Sequence, residues 1–298
     1  MLSICIAIHN WDVNRLVNDL TAQADKLDVP YEILLLDDAS DYEYQKKNAQ
    51  LDFLENVTYL QSYINMGRSL VRNTLASKAQ YPYLLFMDCD ATVTHRDFLK
   101  KYMAALPAPV IVGGCEYRKR RPRKECILRW RYGIEREQVP AEIRNQRPNT
   151  SFSTFNFLIE KRVFDIVKFD ESLQDYGHED TLFGLDLLDK NIIIKHIDNP
   201  LRHDGIFSTQ LFLERTQVAI NNLLIILEKG HQREALVENI RLLKTYRQLR
   251  KWHLCGLYRF LYRIFKKMIL KNLHSKKPSI RYFDFYKLEF LCEKRPII

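Results

Sequence analysis

No run of eighteen apolar residues occurs in this 298-residue sequence, so no segment reads as a simple membrane-spanning helix. The opening MLSICIAIHNW has neither the basic start nor the small-residue cleavage site of a secretory leader, and reads as a buried strand. The six cysteines (Cys5, Cys89, Cys115, Cys126, Cys255, Cys292) form no CxxC pair. That pattern disfavours a zinc ribbon or a dense disulfide scaffold and fits reduced thiols in a cytosol. Internal repeats and low-complexity tracts are absent. Acidic residues become scarce toward the end: residues 241–298 hold 16 Lys and Arg against 3 Asp and Glu, whereas the first 240 hold 30 basic and 34 acidic groups. The net charge of +9 therefore belongs to the tail, as expected of an appended surface that meets something anionic. The remaining composition is ordinary, with 46% apolar and 28% charged residues, which excludes a mainly disordered chain. The length allows one large domain, or one domain with an appendage.

Strand-like apolar runs alternate with helical spacing through the first half. Strands are predicted at 3–8, 31–36, 57–61 and 83–87, and helices at 13–27, 42–54 and 67–79. Such alternation implies an α/β fold, a parallel sheet covered on both faces. Ligands of these sheets bind beyond the carboxyl ends of the strands. Two of the strands run into acid there, Asp37-Asp38 and Asp88-Cys89-Asp90. Further on, 110–112 and 192–197 read as strands, 151–159 as an antiparallel strand and 181–188 as a helix. From 207 the strand signals fade, and 207–228, 232–249 and 254–271 read as three helices.

In the last of these, Leu254, Leu257, Tyr258, Leu261, Ile264, Phe265, Met268 and Ile269 fall on one face by three-and-four spacing, with Arg259, Arg263, Lys266, Lys267 and Lys271 largely elsewhere. Two readings stand: a helix packed on its domain with solvated basic residues, or a peripheral contact of 241–298 with an anionic bilayer. The basic run 118–124 likewise reads as a solvated loop or an anion contact.

Two carboxylates at i and i+2 leaving a buried strand, as in Asp88-Cys89-Asp90, can converge on a hard divalent cation such as Mg²⁺ or Mn²⁺, which would neutralise a diphosphate. The string Asp88-Cys-Asp-Ala-Thr92-Val93 also resembles the DxDx(T/V) of haloacid-dehalogenase-like phosphohydrolases, with Asp88 as nucleophile and Asp90 as acid/base. That motif normally ends the first core strand, whereas three strand–helix units precede it here. A third reading is a non-catalytic scaffold whose tail holds a membrane or polyanion; no RNA-binding aromatic motif occurs in the tail, and no nucleic acid is expected.

A wider resemblance spans residues 1 to about 205. Ser3-Ile-Cys-Ile-Ala-Ile-His-Asn10, Glu32-Ile-Leu-Leu-Leu-Asp-Asp-Ala-Ser40, Asn65-Met-Gly-Arg-Ser-Leu-Val-Arg72-Asn73, Asp88-Cys-Asp90 and Gly177-His-Glu-Asp180 occur in the order found in family 2 glycosyltransferases of the GT-A fold, and the sequence resembles that family. The resemblance implies a GT-A domain over 1–205, with 206–298 as a basic, mainly helical extension. It implies an inverting transfer of one sugar from a nucleotide-diphosphate sugar, UDP-sugar favoured, to a hydroxyl of a glycan or lipid-linked acceptor in bacterial surface polysaccharide synthesis. The place of action would be the cytoplasm, at the inner face of the membrane if the tail binds lipid. Cys126-Ile-Leu-Arg129-Trp130 supplies only the RW of the QxxRW motif of processive members, and lies before the ED pair, so a polymerising synthase is disfavoured.

The same resemblance implies the roles. Asp38 contacts uracil or ribose, with Asp37 as alternative; a turn or cap aspartate is the plain structural reading of either. Asn65 and Gly67 shape the loop beneath the donor, and Arg72 lies near the base or the carboxylates. Asp90 touches the metal, Asp88 meets the ribose or the metal, and His203 is the third ligand, with His178 as substitute or acceptor contact. Asp180 is the general base and Glu179 its alternative; both also suit the N-terminus of a helix.

Overall fold

The computed structural model describes residues 1–173 and 176–296. The chain forms two compact units: one of Met1–Arg118, Gln138–Gln174 and Glu179–Gly205, the other of Lys119–Glu137, Asp175–His178 and Ile206–Ile298.

In the first unit the strands are β1 (Leu2–Ile8), β2 (Tyr31–Asp38), β3 (Val57–Ser62), β4 (Tyr83–Asp88), β5 (Ala91–Thr92), β6 (Val110–Val112), β7 (Cys115–Glu116), β8 (Asn156–Glu160), β9 (Lys195–His196) and β10 (Leu201–His203). Seven form one sheet in the order β3-β2-β1-β4-β8-β6-β9, and β5-β10-β7 form a small second sheet. The pairs β1–β2, β2–β3, β1–β4 and β6–β9 are parallel, while β8 runs antiparallel to β4 and β6.

The strands read as unbroken apolar runs because both faces are covered. Ile4, Ile6, Ile8, Ile33, Leu35, Leu85 and Met87 pack on one side with Val13, Leu16, Val17 and Leu20. Cys5, Leu34, Leu36, Leu84 and Phe86 pack on the other with Val71 and Leu75. Alternate residues of one strand thus enter different layers, as the two-residue strand period requires. The helices of this unit are α1 (Asn14–Ala24), α2 (Tyr42–Ala49) and α3 (Arg68–Lys78), α4 (Phe98–Ala104), and, after the excursion of 119–137, where α5 (Ile127–Tyr132) lies, α6 (Ala141–Arg144), α7 (Lys161–Val167) and α8 (Glu179–Asp189). Register aligns the carboxyl ends: Ile8 pairs with Asp37 and Ala7 with Asp88. The chain steps outward from β1 to β2 and β3, then returns to the other flank of β1 as β4. The crevice at that reversal is where such sheets take ligands.

Three sequence expectations are corrected here. The antiparallel strand predicted at 151–159 begins only at Asn156, after a 3₁₀ turn at Asn149–Ser151. The strand predicted at 192–197 shrinks to Lys195–His196. The helix predicted at 232–249 is two, α10 (Arg233–Asn239) and α11 (Arg241–Lys251), broken where Ile240 turns extended at φ −88°, ψ 109°.

The second unit adds α9 (Thr209–Lys229), α12 (Cys255–Leu273) and α13 (Ile280–Lys294). Its core joins Leu128, Phe212, Leu213, Tyr262, Ile269 and Phe283, with Phe212 and Phe283 stacked at 4.9 Å. Arg129 of the RW pair is buried, 3.0 Å from Glu137 and over the ring of Phe212. It serves packing within this unit. The apolar face expected on α12 is also corrected. Tyr262, Ile269 and Leu273 turn into the core and the Tyr258 hydroxyl donates to the Phe285 carbonyl, whereas Leu254, Leu257, Leu261, Ile264, Phe265 and Met268 remain exposed. Arg259 is not solvated either: it lies 3.7 Å from Glu289 and 3.6 Å from Glu293. No helix among the described residues is long and apolar enough to cross a membrane.

Candidate active site

The acidic end of β2 builds its own floor. Asp37 is fully buried and accepts from the Ser40 backbone N–H at 2.8 Å and the Tyr59 hydroxyl at 2.9 Å. The Asp38 carboxylate accepts from the backbone N–H of Met66 at 2.5 Å and of Gly67 at 3.1 Å. It therefore fixes the Asn65–Gly67 segment at the head of α3. Gly67 takes φ +79°, a backbone angle that side chains resist, which is why glycine stands there. Asn65 is exposed beside it. Asp37 thus takes the turn role weighed for either aspartate, while the Asp38 contacts bring Asp38, Asn65 and Gly67 into one loop cluster.

Arg72 ties three segments together. It is buried, and its Nη2 donates to Asp88 Oδ1 and to Thr154 Oγ1, each at 3.0 Å. Its Nη1 lies 3.6 Å from Glu179 Oε1, and the guanidinium covers the Phe169 ring. Neighbouring Asn73 closes the same corner by pairing with the Phe169 backbone in both directions. Arg68 also approaches Glu179, at 3.7 Å. Glu179 is therefore a buried ionic clamp. Removing one member of a buried ion cluster strands the others, at a cost of about 3–5 kcal/mol. Arg72→Met is expected to lower unfolding free energy by about 3 kcal/mol, because Arg68 still serves Glu179. Urea unfolding at unchanged m value measures it; a loss under about 1 kcal/mol would contradict this reading of the cluster.

Asp180 is the less committed acid of the pair. It is partly exposed at the first turn of α8 and accepts from the Thr181 N–H at 2.7 Å. Burial raises its pKa to about 6, aided by the Glu179 charge and opposed by Thr181 and Arg72. A carboxylate poised there suits proton removal near neutral pH.

The metal-type residues meet through the small sheet. β10 pairs with β5 antiparallel, Ala91 against His203 and Thr92 against Arg202. That register sets His203 Nε2 3.8 Å from Asp90 Oδ2. His203 is held between two rings, Phe155 stacked at 4.9 Å and Tyr117 at 5.5 Å. Asp204 pins the turn: its N–H donates to the Asp90 carbonyl, and its carboxylate accepts from Thr92, Arg118 and Arg202. Burial pushes the Asp204 carboxyl up, but the Arg202, Arg118 and Thr92 hydrogen bonds outweigh it and hold it well below the usual carboxylate range. A Cβ at Gly205 would stand 1.9 Å from Asp90 Oδ2, so only glycine leaves room for that carboxylate.

A carboxylate and an imidazole facing each other across 3.8 Å could share a divalent cation. Asp88 is engaged by Arg72, and among the described residues no group of three or more His, Cys, Asp or Glu could hold a metal. Asp90 and His203 could therefore contribute to a cation site only as a pair, with further donors coming from a ligand. His178, expected as a substitute, lies in the second unit at φ +69°. Sequence reasoning missed Thr154, Phe155, Tyr117, Asp204 and Gly205, and read Arg118 only as part of a basic run that is solvated or contacts an anion. Only Asp204-Gly205 carried a signal, as the two residues directly after the expected ligand.

The family model "Glycosyl transferase family 2" matches residues 3–166. No curated protein matches the chain. A Pyrobaculum calidifontis mannosyltransferase solved with GDP-Man and Mn²⁺ superposes with a TM-score of 0.60 at 12% identity, over 98% of this chain and 85% of that one. S. aureus TarS 1–349 gives 0.51 at 16% identity over 98% and 91%. Glucosyl-3-phosphoglycerate synthase from Mycobacterium tuberculosis, with Mn²⁺, UDP and glucosyl-3-phosphoglycerate, gives 0.51 at 14% over 75% and 78%. At these identities the likeness is one of fold. With more than half of its length matched by the family model and the expected α/β architecture in place, the chain belongs to glycosyl transferase family 2.

Proposed function

We propose that this glycosyltransferase moves a single sugar from a UDP-sugar to a hydroxyl of a glycan or lipid-linked acceptor, on the cytoplasmic side, by one displacement with inversion. The observation that carries it is the pairing of Asp90 with His203 at the rim where β1, β2 and β4 end. The phosphohydrolase reading of Asp88 and Asp90 is set aside with the family assignment, and Asp88 is held by Arg72. Mn²⁺ accompanies both the GDP-Man and the UDP complexes named above, and UDP is bound in one of them and in a second TarS 1–349 structure, which supports a UDP-sugar and Mn²⁺ here.

Asp38, Asn65 and Gly67 form the donor floor, with Arg72 holding Asp88 toward the nucleotide. Asp90 and His203 would hold the Mn²⁺ or Mg²⁺ ion, which when bound neutralises the departing diphosphate. Asp180 accepts the proton of the acceptor hydroxyl as that oxygen attacks the anomeric carbon. Glu179, fixed by Arg68 and Arg72, keeps the Asp180 turn in place. No protonated side chain is needed for departure of a neutralised diphosphate, so one base suffices.

Incubation with UDP-, GDP- and CMP-sugars, each with Mn²⁺, tests this through nucleotide release and NMR of the product anomer. Release from UDP-sugars with an inverted product is expected. A retained configuration, or phosphate release from a monoester without any sugar donor, would overturn it. Asp204→Asn weakens the clamp on Asp90 and His203 and is expected to raise the Kd for Mn²⁺ by about 10–100-fold, the usual cost of losing an outer-shell partner. Calorimetric titration with Mn²⁺ in the presence of UDP measures it.

A further inference from the structure

Helix α12 carries two apolar faces, and the fold uses only one. Tyr262, Ile269 and Leu273 pack into the core of the second unit. On the other side Leu257, Phe260, Leu261, Ile264, Phe265 and Met268 follow each other at i, i+3, i+4, i+7, i+8 and i+11, and each is between 44% and 60% exposed. Scattered exposed leucines need no explanation, but a continuous stripe of six large apolar residues along three turns does. Trp252, 70% exposed, stands just before the helix and extends the stripe.

The charges choose the occupant. Residues 255–273 contain no Asp or Glu, while Arg263, Lys266, Lys267 and Lys271 are exposed around the stripe. A second copy of this helix would bring those cations against their own counterparts, and like charges at such spacing repel. Nucleic acid would welcome the cations but offers nothing to leucine, isoleucine and methionine, which do not stack on bases as aromatic rings do. An anionic bilayer accepts both: acyl chains take the stripe, headgroups take the lysines and arginines, and a tryptophan suits the boundary between them.

We propose that α12 lies in the plane of an anionic lipid bilayer with Leu257–Met268 inserted and Arg263, Lys266, Lys267 and Lys271 on the headgroups. The helix docks without spanning, in keeping with the absence of a crossing helix among the described residues. The transferase reading is needed only for the purpose, which is to bring the site to an acceptor carried on lipid; vesicle binding stands or fails separately from it.

The test uses the full chain and two kinds of vesicle, phosphatidylcholine alone and phosphatidylcholine mixed equally with phosphatidylglycerol. Co-sedimentation with the anionic vesicles and little with the neutral ones is expected. Phe260→Glu with Ile264→Glu should lower the partition coefficient about tenfold or more, and Lys267→Glu with Lys271→Glu by a similar factor. All four positions are on the surface, so the unfolding temperature and its rise with UDP and Mn²⁺ should match wild type, which separates this result from any failure of catalysis. Wild type remaining in the supernatant with both vesicles would overturn the proposal, as would variants that sediment like wild type. So would a dimer in analytical ultracentrifugation that Phe260→Glu with Ile264→Glu dissolves, since a second copy would then own the stripe.

Discussion

Asp90→Ala is expected to abolish transfer and to erase the metal-dependent part of UDP binding. In wild type, UDP with Mn²⁺ at about 100 times its Kd should stabilise the folded chain by about 2.7 kcal/mol. For a chain of this size that is a rise of about 4 °C in unfolding temperature. Without the Asp90 carboxylate, His203 faces the seat alone across what had been a 3.8 Å pair. The rise with UDP should then be the same with and without Mn²⁺. Charge stabilisation of several kcal/mol disappears with the ion, and at about 1.36 kcal/mol per decade turnover falls about 10³-fold or more. An undiminished Mn²⁺-dependent rise in Asp90→Ala would mean that the cation sits elsewhere, and the assignment of Asp90 and His203 would fail.

Asp180→Asn removes the proposed base with almost no change in shape. The expected loss is about 10²–10⁴ in kcat, the usual worth of proton transfer in the transition state, with KM for the donor held within about threefold. The pH profile gives an independent reading. Burial and the Glu179 charge raise Asp180 to about 6 in the free protein. A base works only when ionised, so kcat/KM should be full above that value and fall toward tenfold per unit below it. In Asp180→Asn the limb near pH 6 should vanish from whatever activity remains. Persistence of that limb would move the role to another group, and a kcat within threefold of wild type would exclude Asp180 as base.

Much of the fold was legible because both faces of β1, β2 and β4 are buried. Runs such as Ile33-Leu34-Leu35-Leu36 then show unbroken apolar character, and the acid at their ends marks the rim. The ordered motifs single out Asp38, Arg72, Asp90 and Asp180 from the sequence alone. The small sheet was not legible. Strands of two and three residues, such as Ala91–Thr92 and Leu201–His203, have no period to detect, and only tertiary pairing defines them. That Glu179 meets Arg68 and Arg72 was not legible, because a sequence does not show which of two adjacent acids approaches two arginines. On α12 the periodicity was real but merged two faces: Ile269 belongs to the core and Ile264 to the surface, and a helical wheel records both as apolar. The break at Ile240 was hidden because nothing in its side chain forbids a helix there.

The pairing of β5 with β10 also orders the making of the protein in time. Asp90 leaves the ribosome early, together with most of the parallel sheet, but His203, Asp204 and Gly205 come more than a hundred residues later. A nascent chain that has emerged only as far as residue 166 carries the whole segment matched by the family model and still lacks the residue that faces Asp90. The proposed cation site can therefore form only once Leu201–His203 docks beside Ala91–Thr92. Until then the growing chain has no paired carboxylate and imidazole with which to capture an ion.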